Sequence, residues 1–246
     1  MKQLKQIRIK SEKSCYPYHK PLEFLMLNEG EIGITIVIIP HNNPERFKTR
    51  IERDLLPTIA AHPHWKFQLV IIDNSDEDKM PPLGILDLRH LHYVYKRPGT
   101  NIMYGPAMNL AVQNSIYPYL VYVCSNHGHM YDPTWINDLI EPLIENTNVV
   151  MTGSRYPSGN PTWLGFPPTL PPYHIQGGIF GARKETLLMH PYTTNQHYIH
   201  WGSDVYECFE LLSAGFELFN VPSINSVWRQ NVSSPERWKY VHDDSE

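Results

Sequence analysis

The hydrophobic positions of this chain fall into short continuous runs separated by polar turns, with segments of helical period between them. ITIVIIP (34–40) is apolar at nearly every position and rich in β-branched residues, the pattern of a strand buried on both faces. FQLVIID (67–73), YLVYVC (119–124) and NVVMTG (148–153) repeat it, and HLHYVYK (90–96) is a weaker version. Between the first two runs, Asn43 is placed to cap a helix and Pro44 to open it. Phe47, Ile51 and Leu55 then fall four apart on one face, and Pro57 is expected to end or kink the helix. A second helix is predicted over 105–115. A third starts at Asp132-Pro133, where Trp135, Ile136, Leu139, Ile140, Leu143 and Ile144 make one apolar stripe. Strands and helices in alternation predict an α/β fold with a mostly parallel, Rossmann-like sheet covered by helices on both faces.

Open sheets of this kind bind ligands outside the carboxyl ends of their strands. Three polar clusters, PHNN (40–43), DNSDED (73–78) and SNHGHM (125–130), each follow a strand directly and so are expected to share one rim. The stretch 154–174 breaks the pattern, with six prolines and the aromatic anchors Trp163 and Phe166. A loop this long without period is usually functional, and its aromatics favour an ordered lid. Residues 1–33 are polar and aromatic without clear period. They read as an extension packed on the outside of a single domain spanning 34–246.

Composition narrows the partners. A chain of 246 residues can bury a substantial core, and a net charge of −4 gives no global field for nucleic acid or an anionic membrane. Any phosphate affinity is therefore local, with Lys96, Arg97 and Arg183 as candidates. Cys15, Cys124 and Cys208 are odd in number and widely spaced, which argues for free thiols, the last two buried, in a reducing compartment. The first residues lack the apolar core of a signal peptide, and no run approaches the ~18 apolar residues of a membrane span, so a cytoplasmic location is expected.

The segment His200-Trp201-Gly202-Ser203-Asp204 opens an amphipathic run and follows the glycine-rich GGIFGARKETL (177–187). A carboxylate at a helix start either caps the helix or stands ready to take a proton. The order of the pieces over roughly 34–225 resembles the GT-A fold of glycosyltransferases, most closely the family 2 type. The Trp-Gly-x-Asp element is also similar to that of the β-1,4-galactosyltransferases. The resemblance implies a nucleotide-sugar donor site built from Pro40, His41 and Asn43 after the first strand and Asp73 at the end of the second. Arg97, Gly105 and Asn109 of the following helix, Asn126, Gly177 and Gly178 complete it. It implies an acceptor side formed by Trp201, Gly202 and Trp163, with Asp204 as the general base of an inverting transfer. Bland alternatives stand beside several of these: Asp73 as a turn aspartate bonding its own backbone, the glycine pair as a bulge, Trp201 as core.

Where the family carries Asp-x-Asp for a divalent cation, this chain has Ser125-Asn126-His127-Gly128-His129. In extended backbone His127 and His129 point to the same side and suit manganese or zinc better than magnesium. The expected cofactor is thus a divalent metal, Mn2+ first. The alternatives are metal-free transfer, with cationic side chains neutralising the diphosphate, and an inactive descendant that only binds. The expected partners are a nucleoside diphosphate sugar, uridine its first-choice base, and a glycan acceptor. A non-catalytic carbohydrate- or nucleotide-binding module on the same scaffold is the alternative function.

Overall fold

The computed structural model describes residues 27–28, 30–79, 88, 91–124, 130, 132–155, 174–196, 198–199, 202–221 and 223–224. The apolar runs form strands β1 (Gly33–Ile38), β2 (Lys66–Ile72), β3 (His92–Lys96), β4 (Tyr119–Val123) and β5 (Val149–Arg155). Two further strands, β6 (Ile175–Arg183) and β7 (Glu217–Asn220), complete a seven-stranded sheet in the order β3-β2-β1-β4-β6-β5-β7. β1 to β4 are parallel, β6 runs antiparallel to β4 and β5, and β7 is parallel to β5. The α/β, mostly parallel sheet expected from the sequence is therefore observed, with one reversed strand inside it.

Helices cover both faces. α1 (Pro44–Thr49), a π-helical segment (Arg50–Leu55), α2 (Leu56–Ala61) and α4 (Trp135–Glu145) lie on one side; α3 (Tyr104–Gln113), α5 (Lys184–Met189) and α6 (Ser203–Ser213) lie on the other. The strand period sorts the core: Ile34, Ile36 and Ile38 join Phe47, Ile51, Leu55 and Trp135, whereas Val37 joins Ala107, Met108 and Leu211. Asn43 caps as expected, its Oδ1 accepting from the Arg46 N–H at 3.0 Å.

Three expectations need correction. Pro57 does not end its helix, which continues to Ala61. The turn before it is widened so that the Leu56 N–H reaches the Ile51 carbonyl, five residues back. That widening relieves the clash a proline ring makes with the carbonyl four positions earlier. Ile144 is 40% exposed, because the buried stripe of α4 ends at Leu143. Cys124 is only half-buried, while Cys208 is buried; both are free thiols. Cys15 and the extension up to residue 26 lie outside the described residues, as does all of the proline-rich stretch except 154–155, which end β5, and 174, which precedes β6. Among the described residues no helix is long and apolar enough to cross a membrane.

The π-helical turn carries a buried ion pair, Arg50 with Asp54, both side chains at most 1% exposed. Asp54 also accepts from Arg53 Nε at 2.9 Å and from the Met130 N–H at 3.4 Å, where the chain returns after β4. Asp54→Ala leaves the buried guanidinium without this carboxylate and is expected to destabilise the fold by about 3–5 kcal/mol. Replacing the pair together, Arg50→Met with Asp54→Leu, is expected to cost far less. Urea unfolding of both variants checks this, and equal losses would refute the buried-charge account.

Candidate functional site

The carboxyl ends of β1 to β4 form one rim, and side chains sew its loops together. The Asn74 N–H donates to Pro40 O at 3.0 Å and the Asp73 N–H to Lys96 O at 2.9 Å, so the exits of β1, β2 and β3 are tied in sequence. Asn42 donates to Asp76 Oδ2 and accepts from the Asp76 N–H, both at 2.8 Å. Its own N–H donates to Ser75 Oγ at 3.0 Å. Asn74 Nδ2 donates to Met103 O at 3.3 Å, which joins the rim to the start of α3. Met103 there has φ 67 and ψ 177, a region essentially reserved for glycine. Such conformations cost of order 1–3 kcal/mol and concentrate at functional sites.

The reversed strand β6 brings the start of a strand to the rim where its neighbours end: the Cys124 N–H donates to Gly178 O at 2.8 Å just beyond β4. On its other side the β5–β6 register shifts between Gly153 and Arg155. The N–H groups of Ile175 and Gly177, two apart and so leaving the strand on the same side, are taken by α6. Ile175 donates to Cys208 Sγ at 3.2 Å and Gly177 to Asp204 Oδ2 at 2.9 Å. Asp204 Oδ1 accepts from the Val205 N–H at 3.0 Å. The N-cap residue itself is Gly202, at φ 81, so neither Ser203 nor Asp204 occupies the capping position. A Cβ on Gly177 would stand 3.1 Å from Asp204 Oδ2 and 3.2 Å from its Cβ, so this glycine is what lets the carboxylate sit against the strand.

Beneath Asp204 lies a floor of buried aromatic rings. Tyr104 meets Tyr122 at 5.5 Å and Tyr192 at 5.6 Å between centroids, edge to face, and Tyr122 meets Phe180 at 5.4 Å. Burial raises all three tyrosine hydroxyls well above the usual phenol range, so they stay neutral. His174, 5% exposed at the entry to β6, has its pKa lowered by burial, with the Asp204 charge acting in the opposite direction. A neutral imidazole and three neutral phenols therefore surround the one carboxylate at the start of α6.

The structure brings Pro40, His41, Asp73, Arg97, Gly177, Gly178, Gly202 and Asp204 to this rim. Asp73 is 1% exposed; its Oδ1 accepts from the Ser75 N–H at 2.9 Å and its Oδ2 from Tyr95 Oη at 2.5 Å. It thus shapes the turn and orients Tyr95, and the accessible edge beyond it is Asn42 with Asp76. Arg97 Nε is buried without a hydrogen-bond partner among the described residues. Gly105 and Asn109 bond to the segment that leads into α6. Asn109 donates to Tyr192 O and accepts from the Tyr192 N–H, each at 2.8 Å. Gly105 donates to Ile199 O, and a Cβ there would come within 2.7 Å of Thr193 O. Both residues hold the 192–199 loop against α3. Asn43 spends its side chain on the helix cap. Arg183 sits at the opposite end of the sheet, away from the rim, donating to the carbonyls of Val149, Asn146 and Leu143 around the end of α4. Asn126, His127, His129, Trp163, His200 and Trp201 lie outside the described residues. His174, the tyrosine floor and Glu207 were not legible from the chain, because no spacing ties them to Asp204.

No family model and no curated protein matches this sequence. Solved structures match by shape. A mannosyltransferase from Pyrobaculum calidifontis in complex with GDP-Man and Mn2+ superposes with a TM-score of 0.57 over 78% of this chain, at 11% identity. Glucosyl-3-phosphoglycerate synthase from Mycobacterium tuberculosis, in complex with Mg2+ and UDP, gives 0.54 over 78% at 16% identity. Mannosyl-3-phosphoglycerate synthase from Rubrobacter xylanophilus gives 0.55 over 77% at 15% identity. The chain spans 55% of the mannosyltransferase and 66–70% of the two synthases. This chain shares the Rossmann-like α/β fold of these three structures.

One turn beyond Asp204, Glu207 is 1% exposed and neither carboxylate oxygen has a hydrogen-bond partner among the described residues. Burial, and then the charge of Glu210, push its pKa up from 4.5 to about 8. The folded state therefore holds a proton that the unfolded chain releases, and stability falls as pH rises from 4.5 toward 8 and levels off above it. His174, with its lowered pKa, tilts the profile the other way. Subtracting wild type from Glu207→Gln isolates the Glu207 contribution: the stability advantage of the variant is expected to grow between pH 5 and pH 8. A difference that stays constant with pH would show that Glu207 is not held protonated.

Proposed function

We propose that this chain transfers a sugar from a nucleoside diphosphate sugar to an acceptor hydroxyl with inversion, using Asp204 as general base. The observation that carries the reading is the placement of Asp204. It is a half-exposed carboxylate at the sheet's ligand-binding rim, held by the Gly177 N–H of β6 and the first turn of α6, above a neutral floor. The fold shared with enzymes solved with GDP-Man and UDP supports the same class of donor. Asp204 takes the proton of the acceptor hydroxyl as that oxygen bonds to the anomeric carbon from the face opposite the leaving group. The anomeric carbon–oxygen bond to the diphosphate breaks, and its electron pair leaves with the nucleoside diphosphate. Backbone at Gly177 and Gly178 lets the sugar ring approach closely. Arg97, with an unspent N–H at the end of β3, is assigned to the nucleotide, and His41 and the Asn42–Asp76 edge to the base or ribose.

A divalent ion would neutralise charge on the leaving diphosphate. Its assigned ligands, His127 and His129, lie outside the described residues, and no group of three or more His, Cys, Asp or Glu able to hold a metal occurs among the described ones. No step above runs through an ion.

Asp204→Asn keeps an oxygen for the Gly177 N–H, so fold and donor binding are expected to survive while turnover falls by ~10²-fold or more. Steady-state kinetics beside nucleotide calorimetry checks it; near-normal turnover in the folded variant removes the role of Asp204.

The rim is made of short polar groups and backbone, which suits a pyrimidine, and uridine is the assigned base. Uridine diphosphate is expected to bind more tightly than uridine monophosphate and than the guanosine, cytidine and thymidine diphosphates. If imidazoles hold an ion, chelation by EDTA abolishes transfer and Mn2+ restores it. Calorimetry in which none of the four diphosphates binds, with or without Mn2+, overturns the transferase reading.

A further inference from the structure

Helix α6 meets the start of β6 through two side chains whose spacing on the helix matches the spacing of their partners on the strand. Asp204 and Cys208 stand four residues apart on α6, a rise of about 6 Å. Gly177 and Ile175 stand two apart on β6, a rise of about 6.6 Å. The pairs run in opposite chain directions: the Gly177 N–H donates to Asp204 Oδ2 at 2.9 Å and the Ile175 N–H to Cys208 Sγ at 3.2 Å. Two bonds one helical turn apart fix α6 along the strand and about its own axis, whereas a single bond is a pivot. Cys208 is 1% exposed in the apolar cluster on this side of the sheet, with Ile175 O at 3.9 Å and Met151 Sδ at 4.0 Å from its sulfur. Burial pushes its pKa up, so the thiol stays protonated. Its S–H turns to one of these neighbours while a sulfur lone pair takes the Ile175 N–H. A thiol is otherwise a small hydrophobe, so it offers the strand an acceptor without bringing a strongly hydrated group into the core.

We propose that Cys208 is a positioning residue for Asp204: its bond to Ile175 holds the start of β6 against α6, so that the Gly177 N–H stays on the carboxylate and the carboxylate stays seated at the rim. The role in turnover rests on the reading of Asp204 as general base. Without the sulfur the Ile175 N–H, in a residue 1% exposed, loses its acceptor on α6. A buried N–H must find another, and the strand has room to shift because its register with β5 is already irregular between Gly153 and Arg155. Gly177, two residues on, moves with it. The bond that Asp204 accepts from the Val205 N–H lies within α6 and does not tie the carboxylate to the sheet. The loops after β1, β2 and β3 are joined by links of their own, Asn42 with Asp76 and Asn74 with Pro40, so nucleotide binding there does not depend on residue 208.

Variants of the whole chain separate the hydrogen bond from packing. Cys208→Val fills the space without an acceptor, and Cys208→Ser keeps an acceptor but sets a hydroxyl in apolar surroundings. Cys208→Ala, which overfills nothing, stands in if the valine variant does not fold. Hydrogen exchange at the Gly177 amide, followed by NMR relative to the Val70 amide of β2, reads the bond and needs no substrate. It is expected to quicken at least about tenfold in Cys208→Val and to stay within roughly threefold of wild type in Cys208→Ser. Turnover is expected to follow the same order, about tenfold down in Cys208→Val and largely restored in Cys208→Ser, with uridine diphosphate affinity unchanged within about twofold. A role in packing alone reverses that order, because serine suits an apolar core less well than valine. Gly177 exchange unchanged in Cys208→Val, or quickened equally in Cys208→Ser, overturns the proposal. Normal turnover in a variant whose Gly177 amide has loosened overturns it too, and Asp204→Asn measured alongside tells whether the base assignment falls with it. A wild-type chain that transfers no sugar strikes the transferase reading instead, and the exchange order then still decides whether Cys208 holds the bond to Asp204.

Discussion

The start of β6 and the start of α6 constrain one another, and the rim depends on that junction. β6 is the reversed strand between β4 and β5, so its first residues reach the rim at the level where the parallel strands stop. Its ladder with β5 shifts register there, which frees the N–H groups of Ile175 and Gly177. A buried N–H without an acceptor costs about 1–3 kcal/mol, and α6 supplies both acceptors, Cys208 Sγ and Asp204 Oδ2. The same bond that satisfies the strand fixes the carboxylate. Asp204 is thereby positioned by backbone on two sides, and a Cβ at 177 would crowd its side chain at 3.1–3.3 Å.

The rest of the rim is rigid for a related reason. Its loops carry few apolar side chains, so they are ordered by polar links instead: Asn42 with Asp76, Asn74 with Pro40 and Met103, Asp73 with Ser75 and Tyr95. The Asn42–Asp76, Asn74–Pro40 and Asn74–Met103 links join segments that follow different strands, so the loops are fixed relative to one another as well as to the sheet. Met103 keeps a glycine-like conformation because the chain on both sides of it is pinned, its N–H by Asn101 Oδ1 at 2.9 Å and its carbonyl by Asn74. Strain of this sort persists only where its surroundings over-determine it.

Much of the scaffold is legible in the chain because its cause is local. β-branched runs announce β1, β2, β4 and β5, and Asn43-Pro44 announces α1. The sheet rule then places the three polar clusters on one rim before any contact is known. What is not legible depends on distant partners. Asn109 reads as a nucleotide contact from its place after Gly105, yet its amide matches the backbone of Tyr192, 83 residues away. Arg183 reads as a phosphate ligand, but β6 is antiparallel, which carries residue 183 to the far end of the sheet. Pro57 reads as a helix end or kink, and the compensating π-turn that carries the helix on to Ala61 has no sequence signature of its own. Asp73 carries two readings that the residues alone leave open; its bonds to Ser75 and Tyr95 realise the turn aspartate in this structure.

Helix α6 presents two chemistries on two faces, and their difference follows from solvation. Asp204, in the first turn, is half-buried and accepts two backbone N–H bonds. Glu207, one turn later, is buried with no hydrogen-bond partner among the described residues, and Glu210 adds like charge, so its neutral form is favoured. Two carboxyl groups on consecutive turns thus meet different surroundings, the first bonded to backbone N–H groups and the second buried without a partner among the described residues. A leucine at 207 would be the cheaper occupant for folding alone, since a buried carboxyl without partners opposes the packing around it. That unfavourable burial separates Glu207 from ordinary helix-surface acids.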